Sequence, residues 1–358
     1  MAGAPRWRSA AARVHGGPAA EELRALGLDA HAILDFSVNV NPYGPSPAVL
    51  HAIRTAPVDR YPDSTAAPVR QALAARLEVA AERIVFGSGA AELLWVLARV
   101  LLAGGGHAVV VEPAFSEFRA AVLQAGGAVS EWRAHPAHGL TVDLDAVSEA
   151  VGRERADAVY LCAPTTPAGI PVPADDVARL ASRHEDAIVI LDESFLPLSD
   201  RHGDALRPLP DNVVRLRSMT KEHAMPGLRA GYLVAPPALA AAVETARPAW
   251  STSSVAQAAA IAAAADGEFV TESRGRLRRD REELAAGLRA LGLAPLPSIA
   301  PYLAFAAADA VALRRRILAR GVLVRDCTSF GLRGWLRVAA RPAADRARLL
   351  AALEQELR

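Results

Sequence analysis

Between residues 84 and 234 the chain repeats one pattern, a short apolar run followed by a longer stretch with helical spacing. The runs are Ile84-Val85-Phe86, Ala108-Val109-Val110-Val111, Ala158 to Cys162, Ala187 to Leu191, Val213 to Arg217 and Gly231 to Val234. The helical stretches cover Ala90 to about Ala103, Phe115 to Gln124, and a segment beginning near Ala174. Runs this short and this continuously apolar are strands buried on both faces, and helices between them mean crossover connections. The expected fold class is therefore α/β with a mostly parallel sheet.

After Val234 the pattern changes. An alanine-rich helical stretch runs through Ala265, and a long charged helix follows from about Glu268 to Leu291. The remainder mixes short strands (Tyr302 to Ala306, Val322 to Arg325, Trp335 to Val338) with two helices, an α+β pattern suited to a second, smaller domain. The expected division is an N-terminal arm over 1–40 that joins the small domain, a large domain over 41–235, and a small domain over 236–358. The long linking helical region lies near 236–291.

A length of 358 residues suits one large and one small domain. A formal net charge of +1 gives no electrostatic footprint for nucleic acid or for an anionic membrane. No apolar run approaches the roughly 20 residues of a membrane helix, and the start lacks the apolar core of a secretory signal. Cys162 and Cys327 form neither a disulfide framework nor a metal cluster, so a reduced, cytoplasmic setting with no metal is expected.

Among 40 Lys and Arg residues only one is lysine, Lys221. A guanidinium replaces an ammonium wherever charge alone is needed, but it cannot form an imine. The lone lysine is therefore a candidate for covalent chemistry with a carbonyl. It lies in Ser218-Met219-Thr220-Lys221-Glu222, with Arg229 eight residues on. Arg229 can grip an oxyanion bidentately and Ser218 can add a hydrogen bond. Asp192 ends an apolar strand, where α/β folds place ligand contacts. Gly87-Ser88-Gly89-Ala90-Ala91 follows a strand and opens a helix, which makes an anion cradle of backbone N–H groups.

Together these motifs resemble the cofactor site of the fold-type I pyridoxal-phosphate enzymes, and the resemblance runs from about His15 to Arg337. It implies a large domain with a mostly parallel seven-stranded sheet and pyridoxal 5'-phosphate as cofactor. Lys221 would hold the cofactor aldehyde, and Asp192 would pair with the pyridinium nitrogen. Gly89, Ala90, Ala91, Ser218 and Arg229 would surround the phosphate, Phe115 would stack on the ring, and Thr166 and Thr220 would be further cofactor contacts. Tyr61, in Arg60-Tyr61-Pro62-Asp63, would reach the phosphate of a neighbouring subunit, which implies a homodimer with shared sites. Arg337, in Trp335-Leu336-Arg337-Val338, corresponds to the substrate-carboxylate clamp.

Within this group the chain is similar to the histidinol-phosphate aminotransferase branch. His15-Gly16-Gly17, Asp35 to Pro42 and Val324-Arg325-Asp326-Cys327 resemble threonine-phosphate decarboxylases of cobalamin biosynthesis. That implies a substrate-phosphate site from His15, Gly16, Asn39 and Arg325, on a small phosphorylated amino acid or amine. The expected reaction is decarboxylation of O-phospho-L-threonine to 1-amino-2-propanol phosphate and CO2. The alternative is an aminotransferase of the histidinol-phosphate type. Two positions depart from the family pattern: Thr166 stands where the family has a cofactor-binding asparagine, and Phe195 where it has a tyrosine.

Overall fold

The computed structural model describes residues 14–357, so the first thirteen residues of the expected arm lie outside it. The strands begin with β1 (Leu34–Asp35), β2 (Ile84–Gly87), β3 (His107–Glu112) and β4 (Ala128–Arg133). They continue with β5 (Ala158–Cys162), β6 (Ile188–Asp192), β7 (Val213–Ser218) and β8 (Gly231–Val234). Seven of these form one sheet in the order β2-β8-β7-β6-β5-β3-β4. Every pairing in it is parallel except those of β8, which runs antiparallel to β2 and β7.

The seventh strand, β4, has no apolar run to mark it. Its residues Ala128-Val129-Ser130-Glu131-Trp132-Arg133 are half-buried to exposed, because an edge strand needs only one apolar face. The helix expected from Phe115 begins at Glu117. Pro113 and a turn in which Ala114 N–H donates to Glu112 Oε2 delay its start, and leave Phe115 in the preceding loop. The alanine-rich stretch is two helices, Pro237–Ala246 and Ser254–Ala265. Pro248 bars continuation, and Ser253 caps the second helix by accepting from Ala256 N–H.

The smaller sheet comprises β9 (Tyr302–Ala306), β11 (Arg325–Asp326) and β12 (Trp335–Ala339), antiparallel in the order β11-β12-β9. The single strand expected over Val322 to Arg325 is divided: β10 (Val322–Leu323) pairs in parallel with β1, while β11 pairs with β12. Its core joins Leu34 and Phe36 to Leu284, Leu288, Leu303, Phe305, Ile317 and Leu353. The long helix Gly267–Ala290 thus faces this core with its last turns. The helices Pro237–Ala246 and Ser254–Ala265 instead belong to the cores of the large domain. Val243 shares one with Val85, and Ala259 shares another with Phe86, with its helix packed on the helices Pro47–Thr55 and Ala67–Leu77. Among the described residues, no helix is long and apolar enough to cross a membrane.

Candidate active site

The carboxyl ends of β5, β6 and β7 carry Cys162, Asp192 and Ser218 to one edge of the large sheet. There they open on a cavity of about 530 Å³ that is closed on its far side by β11 and β12. Lys221 enters it from the single helical turn Met219–Glu222 that continues β7. Its Nζ lies 3.3 Å from Ser218 Oγ and 3.3 Å from Thr220 Oγ1, and these two hydroxyls are 2.6 Å apart. Burial removes the ammonium from water and, with the cations of Arg229 and Arg337 nearby, outweighs the attraction of Asp192. The amine is thereby lowered to about 8. A lysine so placed keeps a substantial neutral fraction near neutral pH, as a nucleophilic amine requires.

Asp192 is buried and held on both carboxylate oxygens. Tyr160 OH donates to Oδ2 at 2.9 Å and Ser194 N–H donates to Oδ1 at 3.0 Å. Tyr160 lies on β5, fully buried, and its phenol is raised well above its usual value by burial and by the adjacent Asp192 charge. It therefore stays a donor. Sequence reading did not single out Tyr160, because an aromatic in a buried strand reads as core; only the two-residue step from Cys162, placing both on one face of β5, marks it.

The anion cradle is tighter than its glycines alone imply. Gly89 has φ +85°, and a Cβ there would lie 2.8 Å from Arg229 NH2. A Cβ on Gly231 would lie 2.5 Å from the Ala90 nitrogen. Gly89 N–H itself donates to Gly87 carbonyl at 2.7 Å, so Gly89 supplies conformation and clearance instead of a donor. The cradle's donors are the first-turn N–H groups of the helix Ala90–Leu102, unpaired within the helix by its geometry. Arg229 closes the cradle and is fixed by NH1 donating to Pro226 carbonyl at 3.0 Å.

The opposite end of the cavity is cationic. Arg325 and Arg337 are register partners on β11 and β12, and both are buried. Arg337 NH2 donates to Ser37 carbonyl at 2.7 Å and NH1 to Thr166 Oγ1 at 3.4 Å, while its buried Nε has no partner among the described residues. Asn39 is buried there too, with neither amide atom partnered among the described residues. Burial and the charge of Arg337 lower Arg325 to about 10. Arg325 NH1 donates to His15 carbonyl at 2.6 Å; its NH2 donates to Val14 carbonyl and Ser329 Oγ, both at 2.7 Å. In this structure its forked end thus holds the N-terminal segment and Ser329, as well as facing the cavity.

The structure brings His15, Gly16, Asn39, Ala90, Ala91, Phe115, Thr166, Asp192, Ser218, Thr220, Lys221, Arg229, Arg325 and Arg337 to this one cavity. Gly89 lies directly behind Arg229. Tyr61 lies elsewhere, 78% exposed and stacked on Trp250 at 4.7 Å. Phe195 lines the cavity with Lys221 Nζ 6.0 Å from its ring centre. Glu117, which the sequence did not single out, also lines it. Among the described residues no group of three His, Cys, Asp or Glu side chains is placed to hold a metal.

This donor set fits pyridoxal phosphate. A low-pKa amine meets the aldehyde, a fixed carboxylate suits a protonated ring nitrogen, and a helix start with a clearance that only glycine allows suits the phosphate.

The chain was compared with known proteins. Residues 31–355 match the family model for class I and II aminotransferases. A histidinol-phosphate aminotransferase of Symbiobacterium thermophilum is 36% identical over 350 residues, covering 96% of this chain and 95% of its own. Another, from Dechloromonas aromatica, is 34% identical with the same coverage. The crystal structure of histidinol-phosphate aminotransferase from Sinorhizobium meliloti, in complex with pyridoxal-5'-phosphate, superposes with a TM-score of 0.84. It is 29% identical and covers 94% of this chain and 93% of its own. The fold is thus the fold-type I aminotransferase fold, and the chain belongs to the class I and II aminotransferases, a pyridoxal-phosphate-dependent family.

Proposed function

We propose that this chain is a pyridoxal-phosphate-dependent aminotransferase that moves the amino group of a small phosphorylated amine or amino acid to a 2-oxo acid. The observation that carries it is the two-ended polarity of the cavity. Lys221, Asp192 and the Arg229 cradle form one end, and the buried pair Arg325 and Arg337 forms the other. The full-length similarity to histidinol-phosphate aminotransferases supports transamination ahead of phosphothreonine decarboxylation, the reaction that the sequence motifs put first.

Bound in the cradle, pyridoxal phosphate supplies an electron sink for the bond broken at the substrate Cα. Arg229, Ser218 and the N–H groups of Ala90 and Ala91 would hold its phosphate, Asp192 its ring nitrogen, and Phe115 one face of its ring. Arg337 orients the substrate through an anionic group, and a planar fork fixes that group's angle as well as its position. Lys221, with its amine lowered to about 8, would accept the proton from the substrate Cα and return it two bonds away, on the far side of the amino nitrogen. The segment Val14–Gly16 forms one wall of the cavity.

One observation favours the second reading, decarboxylation of O-phospho-L-threonine. Two guanidiniums side by side match a substrate with two anionic groups, a carboxylate and a phosphate. Transamination meets the same pair with the two carboxylates of 2-oxoglutarate. A paired assay on holoenzyme decides. Histidinol phosphate with 2-oxoglutarate is scored for glutamate, and phosphothreonine alone for CO2 and 1-amino-2-propanol phosphate. Glutamate in the first tube is the expected result; product in the second tube only would overturn the first reading in favour of the second.

A further inference from the structure

Glu117 is a buried carboxylate at the start of the helix Glu117–Gln124, two residues after Phe115. Burying a carboxylate is costly unless its oxygens are met by donors. Both are met. Trp95 Nε1 donates to Oε2 at 2.7 Å, and His15 Nε2 lies 2.9 Å from Oε1. Trp95 belongs to the helix Ala90–Leu102 whose first turn forms the anion cradle, so the carboxylate is tied to the same rigid element as the cofactor end of the cavity.

His15 has little else to hold its ring. Its backbone is fixed, because its carbonyl accepts from Arg325, and the next two residues pack on the Ser37 region. Gly17 N–H donates to Ser37 Oγ at 2.8 Å, and a Cβ on Gly16 would lie 2.7 Å from Ser37 carbonyl. The imidazole itself is 46% exposed and lies against Phe115, with centroids 5.6 Å apart and planes at 47°. The contact with Glu117 selects one orientation of this ring. A carboxylate only accepts, so Nε2 donates to Glu117, and Nδ1 is the ring nitrogen left to face a ligand. An anionic ligand also only accepts, so the form that meets it is the imidazolium, in which both nitrogens donate.

We infer that Glu117 is a positioning residue that acts through His15, aiming the imidazole at the distal anionic group of the substrate. Glu117 does not touch that group. It fixes the angle of the ring, as carboxylates behind metal-ligating histidines do, and here it also supplies the counter-charge for the doubly protonated ring that an anion requires. The inference rests on the reading of a phosphorylated substrate and adds the residue that sets its selectivity. It also gives the buried Glu117 a purpose that helix formation does not require, since an N-terminal acidic residue serves the helix dipole equally well when exposed.

The test is a double-mutant cycle on holoenzyme with Glu117→Gln, His15→Ala and the two combined. The substitution to glutamine keeps an acceptor for Trp95, and circular dichroism with the cofactor's visible band verifies folding and loading. The readout is the ratio of half-saturating concentrations, dephosphorylated over phosphorylated, for histidinol and histidinol phosphate and for threonine and phosphothreonine. Each is taken from the initial change in the visible band on rapid mixing. Each single variant is expected to lower the ratio about tenfold, the scale of one hydrogen bond to a charged group, with kcat changed far less than KM. The double variant should then be no worse than His15→Ala alone. A ratio unchanged in Glu117→Gln, or effects that multiply in the double variant, would overturn the inference. A wild-type ratio near one for both pairs would instead defeat the phosphorylated-substrate reading on which it stands.

Discussion

At the scale of single residues, the chemistry of Lys221 follows from where its amine is buried. Lowered to about 8, it should capture pyridoxal phosphate faster as pH rises, by about tenfold per unit below 8, and level off above it. Stopped-flow capture by apoprotein measures this; a rate still climbing toward pH 10 would mean an ordinary, solvated lysine. The sign for stability is the same. Between about 8 and the ordinary lysine value the unfolded chain binds a proton that the folded chain has lost, so this group's contribution to apoprotein stability increases with pH. Gly89→Ala places a methyl 2.8 Å from Arg229 NH2 at φ +85°, so cofactor affinity should fall at least about tenfold, with about 1 kcal/mol lost from the fold. Equilibrium dialysis and thermal melts read the two effects separately. Lys221 and Gly89 were legible in the sequence because their chemistry admits few substitutes. Tyr160 and Glu117 were not, because an aromatic in a strand and an acid in a first helical turn are both common, and only their partners across the fold distinguish them.

Among elements, the pair β11 and β12 matters most, since their register sets Arg325 beside Arg337 at the far end of the cavity. Removing Arg337 removes a planar cation and also the partner of Ser37 carbonyl and Thr166 Oγ1. Arg337→Ala should therefore lower kcat/KM by about 100- to 1000-fold, as expected for losing two charge-assisted hydrogen bonds. Arg337→Lys should recover little of it, because an ammonium cannot reproduce the fork. Steady-state kinetics with both variants checks this, and full recovery by lysine would reduce the role of Arg337 to charge alone. Strands buried on both faces were legible from sequence to within a residue or two. The edge strand β4 was not, because half of its side chains meet water. Nor was the division of residues 322–326 between two sheets, because strand partners are chosen by tertiary packing, not by local pattern.

At the scale of the whole molecule, the cavity lies between two bodies with separate cores, and the N-terminal segment crosses from one to the other. Asn41 N–H donates to the carbonyl of Lys221 at 3.0 Å, while Leu34 and Phe36 lie in the smaller core. Cofactor and substrate bound in the cavity would therefore meet residues of both bodies. In the homodimer that the Arg60-Tyr61-Pro62-Asp63 motif implies, the exposed Tyr61 would serve the neighbouring site. Mixing inactive Lys221→Ala chains with weakly active Tyr61→Ala chains under exchange conditions should restore activity, since one site of each hybrid then has both residues intact. Activity no greater than the sum of the separate variants would place Tyr61 outside the neighbouring site. This arrangement was legible only as a motif, because one chain's sequence carries no pattern for contacts made between copies.

The central claim is that Lys221 carries the cofactor, and the chain's having one lysine makes its test direct. Holoenzyme is reduced with borohydride, digested and sequenced by mass spectrometry. The account predicts loss of the visible band and a pyridoxyl mass on Lys221, within a peptide spanning Ser218 to Arg229 because the modified lysine resists trypsin. A reduced protein with no label on Lys221, or with label only on the N-terminal amine, would contradict it.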